Sequence, residues 1–147
     1  MAKKSRAKKI VQTYDPKWVL LVGRVLVAML FITSGWGKLM DLNGTASFMV
    51  STGMPFASSW LAGIAGAIEL LGGLALLVGW RARESAGLLA AFLLVVTYFI
   101  HLAPAWKLVE GMARSTEMLH VRLNLALLGG LLIMFVSGPG KISRDKR

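Results

Sequence analysis

Ser59–Trp80 reads SWLAGIAGAIELLGGLALLVGW, one carboxylate in the middle of an otherwise apolar run. About twenty apolar residues at ~1.5 Å each cross a hydrocarbon core of ~30 Å. Trp60 and Trp80 stand at the two ends, where indoles favour the headgroup layer. Glu69 falls near the midplane, where a charge costs at least ~2.5–3.5 kcal/mol on insertion scales. Helical spacing places Ala62, Gly66, Glu69, Gly73 and Leu76 on one face, so the carboxylate rises from a groove of small residues. Such residues let a neighbouring helix come close, which is how helices associate in lipid. Glu69 is therefore expected to face protein, with a partner on another helix.

Three further apolar runs surround this one. The first span is expected from Trp18 to Leu39, the third from Ser85 to Leu102 with Pro104 ending it, and the fourth from Met118 to Val136, stopped by Gly138-Pro139-Gly140. Between the first two, residues 41–58 are too short and polar to span. Thr45 is read as the cap of a short interfacial helix that Gly53 and Pro55 break. The tight turn at Arg81, Arg83 and Glu84 joins the second and third spans, and 105–117 is read as a weakly amphipathic loop. The run Leu127-Leu128-Gly129-Gly130-Leu131 echoes Leu70-Leu71-Gly72-Gly73-Leu74, as two helical hairpins of related design would. The fold class is all-α, an antiparallel four-helix transmembrane bundle with short interfacial helices in the outer connections. Its organisation is a basic tail (1–17), one membrane domain (18–140) and a second basic tail (141–147).

Composition narrows the chemistry. Of 147 residues 56% are hydrophobic, and cysteine is absent. That removes thiolate metal sites, iron–sulfur ligation by the chain, covalently attached haem and disulfide exchange. The net charge of +10 sits largely in the flanks. Six cations precede the first run, two lie in the 81–85 turn and four follow the last run, against Lys107 and Arg114 in the other connections. The positive-inside rule then places both termini in the cytoplasm, with the basic flanks meeting anionic lipid rather than nucleic acid. No cleavage site follows the first run, which is too long for a signal peptide and is expected to stay as an anchor.

The remaining ionisable residues fall at related depths. At ~1.5 Å per residue, Lys38, His101, His120 and Arg122 lie roughly 9–14 Å to the outer side of their span centres, with Asn124 deeper. Arg24, Ala28, Phe31, Gly35 and Lys38 form one helical stripe. A bundle interior would bring Lys38, Glu69, His101 and Asn124 into one polar pocket, His120 at its mouth and Arg122 reaching round or outward. Arg24, across the midplane, is read as a second partner for Glu69 or an inner gate. The plain alternative is that Glu69, paired with Lys38, Arg24 or Arg122, forms an interior ion pair that fixes helix register. A quinone headgroup needs hydrogen-bond donors and proton carriers in an apolar slot, which this set could supply. A bis-histidine haem on His101 and His120 is a rival use. No zinc motif, P-loop or nucleotide fingerprint is read in the chain, and no metal site is expected.

Gly35-Trp36-Gly37-Lys38-Leu39, Gly53-Met54-Pro55, Glu69-Leu70-Leu71-Gly72-Gly73 with Gly79 and Arg83, and Asn124-Leu125-Ala126-Leu127-Leu128-Gly129-Gly130 resemble, in that order and spacing, the DoxX family of small bacterial membrane proteins. Arg24 resembles the arginine that opens that family's first span. Many relatives carry a lysine directly before the asparagine; here Leu123 stands there and Arg122 is the nearest cation. The resemblance implies a four-helix membrane bundle and redox physiology, related DoxD members being similar to the membrane subunit of a thiosulfate:quinone oxidoreductase. The resulting expectation is an inner-membrane, quinone-linked subunit of an oxidoreductase system, with Glu69 as proton carrier, His101 as donor or relay, and Arg24, Lys38, Arg122, Asn124 and His120 as ligand-binding residues. A partner redox subunit and a second copy of the chain are the expected protein partners, with no covalently bound cofactor. A non-catalytic membrane partner, or a small-solute carrier using the same pocket, is the alternative.

Overall fold

A computed structural model describes residues 16–145, and all of its regular structure is helical. Helix α1 (Pro16–Met40) leads through Asp41 into the short α2 (Leu42–Ser51). Helix α3 is Ser59–Val78. The third span is continuous from α4 (Ala82–Val96) through a π-helical segment (Thr97–Leu102) to α5 (Ala103–Lys107). Helix α6 is Met112–Ser137. Four helices are long and apolar enough to cross a membrane: Lys17–Met40, Ser59–Val78, Ala82–Lys107 and Met112–Ser137. The expected antiparallel four-helix bundle is the observed one.

Glycine sets how the helices meet. A Cβ added to Gly35 of α1 would lie 2.5 Å from the Leu70 amide nitrogen and 2.7 Å from the Gly66 carbonyl oxygen of α3, so only a hydrogen fits between the two backbones. Gly66 and Gly73 extend this seam, against Leu39 on one side and Ile32 with the Ala28 carbonyl on the other. Helix α4 packs along α6 and meets α3 where Leu89 fills the space above Gly72. The main apolar core, with Ala28, Phe31, Leu76, Leu89, Leu131 and Met134, occupies the half of the bundle nearer the termini. A smaller cluster of Met49, Ala62, Ala65 and Ile100 lies in the other half, under α2.

The terminal end is closed by main-chain bonds. Gly79 takes the left-handed conformation (φ 69°) that terminates α3, and Trp80 N donates to Ala75 O at 2.9 Å. The last described residues fold back onto this turn, Arg144 N donating to Val78 O and Asp145 N to Gly79 O. The Asp145 carboxylate accepts from Arg81 N (2.8 Å) and Ala82 N (2.9 Å), covering two of the unpaired amides that open α4. Residues 141–145 thus form a strap. The rest of the tails, 1–15 and 146–147, lies outside the described residues.

Three local expectations are corrected. Asp41, not Thr45, caps the short helix, its carboxylate accepting from Gly44 N at 2.8 Å. Pro104 does not end the third span. It sits in the first turn of α5, directly after the π-helical segment, where the wider turn accommodates a ring that would strike the carbonyl four residues back in a regular helix. The fourth span starts at Met112 rather than Met118, because the polar stretch through Glu117 adds helix beyond the apolar run.

Candidate functional site

Two turns of α1 and one of α3 build the first wall. Ser34 and Lys38 share a face of α1 at i,i+4 spacing, and the Lys38 ammonium donates to Ser34 Oγ at 2.6 Å. It also donates to Glu69 Oε2 at 2.7 Å. The Glu69 side chain is 6% exposed and that of Lys38 24%, so the carboxylate is sealed while its partner borders open space. A lone carboxylate at this depth would be costly, and the pair offsets that cost across the α1–α3 seam. An ammonium has three N–H donors, and two are accounted for here.

The facing wall comes from the π-helical segment and α6. Thr97 Oγ donates to Leu93 O at 2.6 Å and accepts from Asn124 Nδ2 at 3.1 Å, tying the third span to the fourth. One turn further, His101 Nδ1 and Glu117 Oε2 are 2.8 Å apart. His120 Nδ1 lies 4.0 Å from the same carboxylate oxygen, and the two imidazole rings stand tilted, with centroids 4.9 Å apart.

Between the walls is a cavity of about 820 Å³. Lys38, Glu69, Ser34, His101, His120 and Asn124 border it, set among apolar side chains such as Phe31, Ile64, Phe92, Val96 and Leu127. Thr45, Phe48 and Met49 of α2 and Met54 of the following turn complete its lining. The cavity is mostly apolar, with a few convergent polar groups, a lining of the kind that small molecules can occupy. Hydrogen-bond donors, a carboxylate and an imidazole line one space, so polar recognition and proton transfer are both within its chemistry.

Two residues expected at this site lie elsewhere. Arg24, 3% exposed, is not a partner of Glu69; its guanidinium donates to Pro139 O at 2.6 Å and Ile142 O at 2.7 Å, holding the C-terminal strap. Arg122 is exposed and absent from the cavity wall, which Asn124 borders instead. The rings of His101 and His120 lie side by side, with His101 engaged by Glu117, rather than facing each other across a macrocycle. Sequence reasoning missed Glu117, Ser34 and Thr97. For Glu117 a signal existed: Glu117-x-x-His120 puts a carboxylate and an imidazole on one helix face, the spacing used by metal-binding helical bundles.

Comparison with known proteins places this architecture. The chain is 33% identical over 127 residues to the inner membrane protein YqjF of Escherichia coli, covering 86% of this chain and 89% of that one. It is 30% identical over 129 residues to the inner membrane protein YphA of the same organism, covering 88% and 89%. No solved structure matches. The DoxX family pattern matches residues 19–102, from the start of α1 through Lys38 and Glu69 to the end of the π-helical segment. The chain belongs to the DoxX family.

Proposed function

We propose that the chain is a bacterial inner-membrane protein whose cavity takes the headgroup of a membrane quinone, as the quinone-linked subunit of an oxidoreductase system. One observation carries this reading. An apolar cavity of about 820 Å³ is bordered on one wall by the Lys38–Glu69 pair and on the other by His101 and Asn124. A quinone presents two carbonyl oxygens at opposite ends of a flat, apolar ring, and donors on facing walls suit that shape. Lys38 and Asn124 would hold the carbonyls. Reduction to the quinol takes two electrons and two protons; the electrons would come from a partner redox subunit, and Glu69 and His101 would pass the protons. The count of flanking cations supports an orientation with both termini in the cytoplasm and the cavity nearer the outer leaflet.

The test is direct. Protein extracted in mild detergent without added quinone should carry a quinone adduct in native mass spectrometry. A short-chain quinone should compete it off, and Glu69→Gln should weaken the competitor's binding by about tenfold or more, the scale of one charge-assisted hydrogen bond. Absence of both the adduct and any binding would overturn the proposal. Binding with no reduction alongside any copurifying redox subunit would favour the non-catalytic carrier or scaffold instead.

A further inference from the structure

His101, Glu117 and His120 have no part in holding a quinone carbonyl as a set, yet they form the tightest cluster of potential metal ligands among the described residues. One ligating atom from each lies within 4.8 Å of the others. The chain has two histidines in all, and both are here. We propose that this cluster is a binding site for a divalent first-row transition metal of the zinc class, held by two imidazoles and one carboxylate with the fourth position turned toward the cavity.

The donor set comes first. Two histidines and one glutamate are the protein share of an open tetrahedral zinc site, and imidazole with carboxylate excludes the soft, thiolate-preferring ions. Local structure supplies the second argument. Glu117 and His120 share a face of α6 at i,i+3 spacing, and the π-helical segment presents His101 to them from the third span. Such one-turn insertions into helices recur at functional sites. A site shared by two spans would also brace the end of the bundle where the Thr97–Asn124 bond is the nearest polar tie between them.

The geometry needs a small closure. An ion about 2.0–2.1 Å from each ligand atom leaves ligand atoms roughly 3.3 Å apart. The His101–Glu117 pair, at 2.8 Å, opens slightly, and the His120–Glu117 pair, at 4.0 Å, closes by less than an ångström. The three ligating atoms, spread over as much as 4.8 Å, draw in by up to about 1.5 Å. His120 has the freedom to do so, its side chain being 47% exposed. A simple His101–Glu117 hydrogen bond would account for two of the three residues. It leaves unexplained a second imidazole at 4.9 Å ring separation from the first, beside the one carboxylate. A cation at the centre accounts for all three. Because His101 and His120 also border the cavity, the open coordination position would face it. His101 is common to the two readings: an imidazole that ligates a cation does not carry protons. In the metal-bound chain the relay to a quinone falls to Glu69, and the metal reading is tested without quinone.

Untagged full-length protein in detergent, stripped with a chelator and desalted, is titrated with Co²⁺, whose visible ligand-field bands report a low-coordinate nitrogen and oxygen site. Bands saturating at one Co²⁺ per chain and abolished by added Zn²⁺ are expected. His120→Ala and Glu117→Gln should each weaken Co²⁺ binding by at least about tenfold, the least that even a supporting residue around a metal contributes. Glu117→Gln retains a hydrogen-bonding side chain toward His101, so it stays informative if His120→Ala does not fold. Arg122→Leu, outside the cluster, should leave the titration unchanged. Absence of saturable bands in the unaltered chain would overturn the proposal, as would bands that persist undiminished in monodisperse Glu117→Gln protein.

Discussion

At the end of the bundle that carries both termini, Arg24 donates to the carbonyls of Pro139 and Ile142, and Asp145 accepts from the amides of Arg81 and Ala82. At the other end, Lys38 meets Glu69 and His101 meets Glu117. Both ends hold ionisable groups at membrane depth or close to it, and each has a partner, as low-dielectric surroundings demand. The partners differ in kind. At the terminal end the hydrogen bonds of Arg24 and Asp145 go to main-chain groups that helix ends and a returning strap leave unpaired, so they complete the fold. A side-chain pair there, Arg81 with Glu84 at 3.8 Å, is exposed. Charges at the other end pair with one another, beside open space. A main-chain partner cannot change protonation; a side-chain partner can. That difference separates an arginine that closes the bundle from a lysine and histidines that border a site.

The largest effect should come from the seam that serves both ends. Gly35→Val places a Cβ 2.5 Å from Leu70 N and 2.7 Å from Gly66 O, backbone atoms that cannot rotate away. A cost of about 3 kcal/mol, the upper range of overpacking, is expected. Thermal melting in detergent should fall sharply, and both ends should fail together: the strap becomes open to protease and the proposed quinone binding disappears. If only one end failed, the two would not share the α1–α3 frame.

Glu69→Gln tests the cavity end alone. It preserves shape while leaving the Lys38 ammonium with Ser34 as its remaining partner in this pair of bonds. Breaking a fully buried pair costs about 3–5 kcal/mol; with Lys38 about a quarter exposed, about 2 kcal/mol is expected. A double change, Lys38→Met with Glu69→Gln, should recover most of that stability and none of the ligand binding. Recovery of both would reduce the pair to a device that fixes helix register.

The same contrast explains what could be read from the chain. The four spans were legible because lipid imposes long apolar runs, and Glu69 with Lys38 was legible because helical spacing and depth are local properties of each run. Glu117 was hidden because it precedes the apolar run that marks the fourth span, so a polar stretch that is helical read as loop. Pro104 misled for the opposite reason: a strong helix-breaking signal was absorbed by a π-helical turn that leaves no sequence mark. Arg24 was misplaced because its partners, Pro139 and Ile142, are more than a hundred residues away and are carbonyls, which carry no side-chain identity. Depth alone cannot distinguish a charge that faces a carboxylate from one that faces backbone.

Arg24→Met probes the terminal end with a smaller expected effect. Two charge-assisted bonds are lost, at about 1.5–3 kcal/mol each in general. Arg24 also buries its Nε without a partner, so removing the guanidinium returns desolvation energy, and a net loss of about 1–2 kcal/mol is expected. Limited trypsin digestion should cut faster after Lys141 and Arg144, while quinone binding changes by less than about twofold, within ~0.4 kcal/mol. A quinone-binding defect as large as that of Glu69→Gln would show that the ends are coupled, and the distinction between closing charges and site charges would fail.

Arg122→Leu carries the smallest expectation and the sharpest reading. Arg122 shares a helix with Asn124, two residues away, but points about 200° round from it at ~100° per residue. It is exposed on the outside of the bundle, and its long stem lets the guanidinium run along the helix toward the headgroups. Replacing it should leave stability within about 0.5 kcal/mol, the range of surface changes that touch no buried feature. It should leave both quinone and Co²⁺ binding as they are. Asn124→Leu, by contrast, removes the bond to Thr97 and one polar group from the cavity wall, so the two substitutions within one helical turn should separate cleanly in a binding assay. If Arg122→Leu weakened ligand binding as much as Asn124→Leu, a cation on the outer face would be acting on the cavity, and the assignment of the site to side chains that border it would have to be abandoned.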